Sequence, residues 1–359
     1  MAKIAVYSIA LNEEKHVRRW YESAKDADLV LIADTGSTDD TVSLAKSLGI
    51  EVHKISVRPW RFDVARNISL DLIPEDFDMC VQLDLDEVLP NDWRSKVEAA
   101  WESGNSWPIY REIGSRYPDG TVRSYWHHFR IHPRKGVYWK YPIHEVVFAK
   151  EGFVFRRELI DLDVDHLQDP LKSRRSYLDL LELAVSEMPN DWRMAHYLNR
   201  EYWYAKNWHK VLQTASSGLK ISTGWDVERA STCMWASDAA QNLGYFDWAL
   251  QWAERATKEA PDFYEAWHWH AHIAHLQGKW SECLHSSSKI LILDRQHHHL
   301  VKPEVWDWWG FDLLALSSHK LGKNDMAVEY GNKAILGSPE NQRLKTNLEF
   351  YSKAFEVTK

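Results

Sequence analysis

Along the first 166 positions, short apolar runs rich in β-branched residues alternate with stretches of helical period. Ile4–Ala10 and residues 29–33, 50–55 and 79–83 read as strands; residues 15–24, 41–48 and 62–72 read as amphipathic helices. Such alternation predicts a mostly parallel sheet with helices on its faces. Ligands of such sheets sit beyond the carboxyl ends of the strands. Three polar clusters fall at those ends: Asn12-Glu13-Glu14, residues 34–40 and residues 84–87. From 109 to 164 the pattern turns extended and turn-broken, with Pro118-Asp119-Gly120 and Arg134-Lys135-Gly136, and predicts an antiparallel appendage.

Beyond Asp169 the strand signals stop and a repeat begins. Gly244, Ala249 and Pro261 recur in phase with Gly278, 34 positions after Gly244 (278 − 244), with Trp267 and Cys283 keeping that phase. Gly322, Ala327 and Pro339 repeat the set after about ten inserted residues that contain His297-His298-His299. An earlier unit shows in Leu198, Asn199, Tyr202, Trp208 and Val211, with Lys206 where the glycine is expected. The spacing resembles the tetratricopeptide repeat, whose helical hairpins must stack to bury their apolar faces. The chain therefore divides in expectation into 1–168 and 169–359, with Gln168-Asp169-Pro170 as the break.

Composition narrows the classes. The 359 residues are 45% hydrophobic and 27% charged with a formal charge of −8, which describes a globular chain and disfavours nonspecific nucleic-acid binding. A local exception spans residues 110–157, with ten Lys/Arg against four Asp/Glu. No apolar run has the length of a membrane span, and the first residues lack the features of a signal peptide, so a cytoplasmic location is expected. Cys80, Cys233 and Cys283 stand apart in apolar contexts and read as reduced core residues. Twenty tryptophans signal heavy aromatic packing, and any exposed ones offer faces to sugar rings.

The chemistry lies in the clusters. Residues 8–14 run from the end of the first strand as Ser-Ile-Ala-Leu-Asn-Glu-Glu; residues 34–41 read Asp-Thr-Gly-Ser-Thr-Asp-Asp-Thr; residues 82–87 read Gln-Leu-Asp-Leu-Asp-Glu. With Phe62-Asp63-Val64-Ala65-Arg66-Asn67 and Ile143-His144-Glu145, the chain resembles family 2 glycosyltransferases of the GT-A fold that carry tetratricopeptide tails. The resemblance implies an α/β, Rossmann-like nucleotide-diphospho-sugar transferase domain followed by an all-α repeat domain. It implies transfer, with inversion, from a nucleotide-diphosphate donor, a UDP-sugar, to an acceptor hydroxyl on a glycan, a protein or another molecule.

Roles follow by resemblance. Asp86 is the metal ligand and Asp84 helps bind the ribose; Asp34 contacts the base, with Asn12 and Glu14 lining the same pocket. Manganese or magnesium would neutralise the leaving pyrophosphate, and hard oxygen ligands suit both ions. Arg66 either faces the nucleotide or pairs with Asp63 or another carboxylate. Glu145 is the base that takes the acceptor's proton, or else an ion-pair partner of a nearby arginine. His166 is the late metal ligand, with His144 as substitute. Ser37 and Asp39 are equally suited to capping the next helix. His127, His128 and His132 read as surface or packing residues. Two rivals stand beside this reading. One is a non-catalytic scaffold with a degenerate transferase domain and a partner-binding array, which could also build a homodimer. The other is a haloacid-dehalogenase-like phosphatase with Asp84 as nucleophile.

Overall fold

The structure, a computed structural model, describes residues 1–101, 106–117, 119–167, 177–296, 298 and 300–358. The chain forms two compact units, Met1–Ala184 and Val185–Lys359. The expected break at residues 168–170 lies outside the described residues, as does Pro118 of the expected turn.

The first unit runs β1 (Ile4–Ala10), α1 (Glu14–Ala24), β2 (Leu29–Asp34), α2 (Thr41–Ser47), β3 (Glu51–Lys54), α3 (Phe62–Asp71), β4 (Met79–Gln82), β5 (Glu87–Val88) and α4 (Trp93–Trp101). There follow β6 (Ser106–Arg116), β7 (Val122–His128), β8 (Ile131–Pro133), β9 (Val137–Lys140), β10 (Val146–Ala149), β11 (Arg156–His166) and α5 (Tyr177–Glu187), the last containing the division. The main sheet has the order β3-β2-β1-β4-β8, parallel except for β8 at its edge. β1 is apolar at every position but Ser8 and the hydroxyl of Tyr7 because both of its faces are covered. Ile4 and Val6 pack with Ile32, Val81, Trp20 and Trp93. Ala5 and Tyr7 point the other way, into a core with Leu31, Cys80, Trp107 and Trp139.

The second half of this unit departs from the antiparallel expectation. β7 pairs antiparallel with β6, and β5 antiparallel with β11, but β11 lies parallel to β6. β9 and β10 form a separate antiparallel pair. A hairpin turn fixes the direction of β7; the direction of β11, which returns to β6 after the β9–β10 pair, has no such local cause.

The second unit stacks hairpins: α6 (Trp192–Tyr204) with α7 (Trp208–Gly218), α8 (Asp226–Asn242) with α9 (Phe246–Glu259), α10 (Tyr264–Leu276) with α11 (Trp280–Ser287) and α12 (Gly310–Lys320) with α13 (Asn324–Gly337), then α14 (Gln342–Thr358). Each hairpin turns the same way. Lys206, Gly244, Gly278 and Gly322 are left-handed, with φ of 55°, 78°, 69° and 74°. The following amide donates to the carbonyl five residues back in every case, at 2.8 to 2.9 Å, from Asn207, Tyr245, Lys279 and Lys323. This is the helix-ending turn that glycine favours, and Lys206 makes it with a side chain. Inside the hairpins, Asn199 Nδ2 donates to Val211 O (2.8 Å) and Ser237 Oγ to Ala249 O (2.7 Å).

Between α11 and α12 the insertion contains a wide π-type turn, Val305–Trp309. Gly337 lies against it so tightly that a Cβ would stand 1.8 Å from the Asp307 carbonyl oxygen. His297 and His299 lie outside the described residues; the His298 ring packs on Trp225 and Phe263. Cys80, Cys233 and Cys283 are buried and free, as expected. Among the described residues, no helix is long and apolar enough to cross a membrane.

Candidate active site

β1 and β2 end in register, Ala10 beside Asp34, which sets their following loops side by side. Asp34 is buried and closes its own loop, accepting from the amides of Gly36 (3.2 Å) and Ser37 (3.1 Å). Gly36 has φ +119°, a conformation L side chains rarely adopt. The two loops are then stitched together. Asn12, itself left-handed, accepts from the Thr38 amide at 2.7 Å and donates its own amide to Ser37 Oγ at 2.9 Å. Glu14 accepts from the Asp40 amide at 3.0 Å, and the Glu13 amide donates to Thr41 Oγ1 at 2.7 Å. Asp39 accepts from the Thr41 hydroxyl at 2.6 Å. Against the upward push of burial, that hydroxyl and neighbouring amides hold the Asp39 carboxyl below its ordinary range. Asn12, Glu14 and Asp34 thus shape the loops, while Asp39, one residue before the N-cap Asp40, accepts from the Thr41 amide at 3.1 Å in a local turn and is not the helix cap. Glu13, between Asn12 and Glu14 in sequence, is buried with its carboxylate 3.9 Å from His16 Nε2.

Beside them β4 pairs with β1 and delivers the acidic run. Asp84 Oδ1 accepts from Arg66 Nη2 (2.6 Å) and Gln82 Nε2 (3.0 Å), and Oδ2 from Arg130 Nη1 (2.9 Å). Arg66 pairs with distant carboxylates and not with Asp63: its Nε donates to Glu145 Oε1 at 3.1 Å, while Asp63 pairs with Arg61. Its guanidinium also lies 5.6 Å from the centre of the Trp139 ring. Arg66 is 3% exposed, so the two carboxylates are what sustain its buried charge. Arg130 plays the same part for Asp84 and for fully buried Glu87, 2.9 Å from each. Burial pushes the Glu87 carboxyl well above its ordinary range; Arg130 opposes this and Glu112 and Asp84 add to it.

The third component comes from the mixed sheet. β5 pairs with the end of β11, His166 opposite Glu87, and the Leu167 amide donates to Asp86 O at 2.8 Å. That pairing sets His166 Nε2 3.6 Å from Asp86 Oδ2. His144 instead meets the edge of the Tyr177 ring. On the other side of His166, Nδ1 lies 3.0 Å from Glu112 Oε1, and Glu112 Oε2 lies 3.1 Å from His128 Nε2. Burial alone would make the His166 imidazole less basic, but Asp86 and Glu112 outweigh it and raise its pKa to about 10. Glu112 is held below its ordinary range: burial raises it, and His166, His128 and Arg130 prevail.

No motif announces Glu112. Its signal is phase: it shares the inward face of β6 with Tyr110, and a carboxylate there needs a counter-charge. His128 joins the site as its second ion-pair partner, and buried His132 binds Tyr7 Oη at 2.9 Å as a packing residue. Part of the basic surplus of residues 110–157 is spent in ion pairs, with Arg111 on Asp163, Arg116 on Asp165 and Arg130 on Asp84 and Glu87.

Among the described residues, no three His, Cys, Asp or Glu side chains form a set that holds a metal by themselves. Asp86 and His166 are the pair with suitable chemistry. A gap of 3.6 Å suits two ligands each about 2.1 Å from one ion, provided His166 loses its proton.

No protein-family model matches the chain. Over 106 residues it is 34% identical to an uncharacterized glycosyltransferase of Rickettsia typhi, covering 29% of this chain and 35% of that one. An uncharacterized glycosyltransferase of Rickettsia prowazekii is 33% identical over 106 residues, again 29% of this chain and 35% of the relative. The chain spans about a third of the length of the curated relatives it matches. Among solved structures, YrrB, a TPR protein with an unusual peptide-binding site, is similar at 14% identity, covering 48% of this chain and 81% of that one with a TM-score of 0.38. A thermophilic TPR protein of Thermus thermophilus is similar at 19% identity, covering 50% of this chain and 90% of that one with a TM-score of 0.34.

Proposed function

We propose that the unit Met1–Ala184 is a glycosyltransferase of the GT-A type that takes a nucleotide-diphosphate sugar, a UDP-sugar, beyond the carboxyl ends of β1, β2 and β4. The observation that carries this reading is Arg66. One buried guanidinium ties Asp84 of the acidic run to Glu145, residues 61 positions apart (145 − 84), at the sheet end where Asp86 meets His166. A purely structural ion pair needs two groups; this cluster assembles five carboxylates around two arginines and two histidines.

In this reading Asp86 and His166 hold manganese or magnesium, which when bound neutralises the pyrophosphate of the donor. Asp84 and Arg66 form the floor beside the ribose. The loop closed by Asp34, with Asn12 and Glu14 bracing it, presents backbone to the base. Glu145, positioned through Oε1 by Arg66, takes the acceptor hydroxyl's proton on Oε2 as the hydroxyl oxygen attacks the anomeric carbon with inversion; the bond from that carbon to the phosphate oxygen breaks, and the nucleoside diphosphate leaves with its electron pair.

The scaffold reading draws on one observation: Asn12, Glu14 and Asp34 all have partners inside the protein. The phosphatase reading finds no support, because both oxygens of Asp84 accept from guanidinium groups where a nucleophile needs one open. Titrating the full chain with UDP in manganese separates the remaining two. The transferase binds UDP, loses it in EDTA, and loses it again as Asp86→Asn. Failure to bind any nucleoside diphosphate, or unaltered binding by Asp86→Asn, would overturn the proposal.

A further inference from the structure

A shallow cavity of about 350 Å³ opens in the second unit between α7 and α9, lined by Leu212, Ser216, Trp248, Gln251, Trp252 and Arg255. Its walls follow from helical spacing: Leu212 and Ser216 are one turn apart on α7, and on α9 Trp248 and Trp252 form one row with Gln251 and Arg255 beside it. The volume is at the low end of the roughly 300–1,000 Å³ of small-molecule sites.

The lining is mostly apolar, with three polar side chains, Ser216, Gln251 and Arg255, among the apolar ones. Trp248 is 56% exposed, unusual for the largest apolar side chain, and its ring is steadied edge-on by Tyr245, 5.4 Å away. Trp252 is anchored in the core, with the Arg255 guanidinium 5.5 Å from its ring centre. Arg255 Nε donates to Glu259, which fixes the guanidinium in place and leaves its outer amines as donors. Gln251 adds an amide and Ser216 a hydroxyl.

We propose that this cavity is a saccharide-binding site. A pyranose has one face of C–H groups that packs on an indole, and a rim of hydroxyls that needs both donors and acceptors. Trp248 supplies the first; Gln251, Arg255 and Ser216 supply the second. A purely hydrocarbon ligand would cover Trp248 but desolvate those three polar groups without pairing them. Joined to the transferase reading, the site names the acceptor class, a glycan; alone, it makes the unit a glycan-binding module.

The test uses the full chain on an array of immobilised hexosides, N-acetylhexosaminides and hexuronides. The wild type is expected to be retained by at least one class. Trp248→Ala should weaken that retention on the order of ten-fold, and Gln251→Ala by a smaller factor. Both side chains are exposed, so the melting temperature should not move, and UDP titration should be unchanged in both variants. No retention anywhere on the array overturns the proposal, as does equal retention by Trp248→Ala. Sedimentation showing a dimer that Trp248→Ala dissociates would overturn it in favour of self-association.

Discussion

In the first unit the partly buried imidazole of His166 sits between two carboxylates and keeps its proton to about pH 10. In the second, the buried imidazole of His268 has the rings of Tyr264 and Trp309 for neighbours, neither nitrogen has a hydrogen-bond partner among the described residues, and burial lowers its pKa to about 3. His270, His272 and His275 on the same helix are shifted down too, first by burial. One chain thus buries the same side chain by two routes. Unit one concentrates charge and cross-neutralises it, which is how a site is prepared for ionic chemistry. The histidines of α10 are packed as neutral aromatic groups, and their number is no sign of a metal site.

The largest effect that would sharpen this contrast concerns Glu145. Glu145→Gln should bind UDP and manganese nearly as wild type yet lose on the order of 10²–10⁴ in transfer rate, read by donor turnover. Full activity would move the base elsewhere; lost nucleotide binding would make Glu145 structural. Next comes Arg130→Ala, which leaves Glu87 buried beside Asp84 without its cation. It should destabilise the first unit by about 3–5 kcal/mol in denaturant unfolding, with the transition of the second unit unmoved. A loss below about 1 kcal/mol would show that the charges do not depend on one another.

The second unit predicts a pH effect of its own. His268 has a folded pKa below its unfolded one, so the neutral form favours folding; its contribution is intact above about pH 6.5 and is lost as pH falls towards 3. Between pH 7 and 5 the loss should reach at most about 2 kcal/mol, and His268→Leu should remove it. A variant whose acid sensitivity equals that of the wild type would break the contrast. The smallest effect lies in the hairpin turns. Lys206→Gly should stabilise the second unit by roughly 0.5–1 kcal/mol, since three of the four equivalent turns already carry glycine at that angle.

Much of this was legible in sequence because local patterns carry it. The strands and helices up to β4 fall within about one residue of the apolar runs, and the glycine spacing found the hairpin turns, Lys206 included. What stayed hidden depends on partners far apart in the chain. The direction of β11 is decided by its pairing with β6. Glu112 has no motif, only an inward phase. Asp34, Asn12 and Glu14 do come together, but a motif names residue types, and only the register of β1 and β2 shows that Asn12 and Glu14 bind the loop that Asp34 closes.

The wide turn at Val305–Trp309 also changes how the insertion before α12 is to be read. Each turn of that kind holds one residue more than an α-turn, so side chains beyond it are rotated by about 100° from the phase set before it. Deleting a single residue there would leave helix content, and hence the far-ultraviolet spectrum, nearly unchanged. It would nevertheless turn α12 to present a different stripe of side chains to α13. Around Gly337, where the backbones already touch, there is no slack to absorb that rotation.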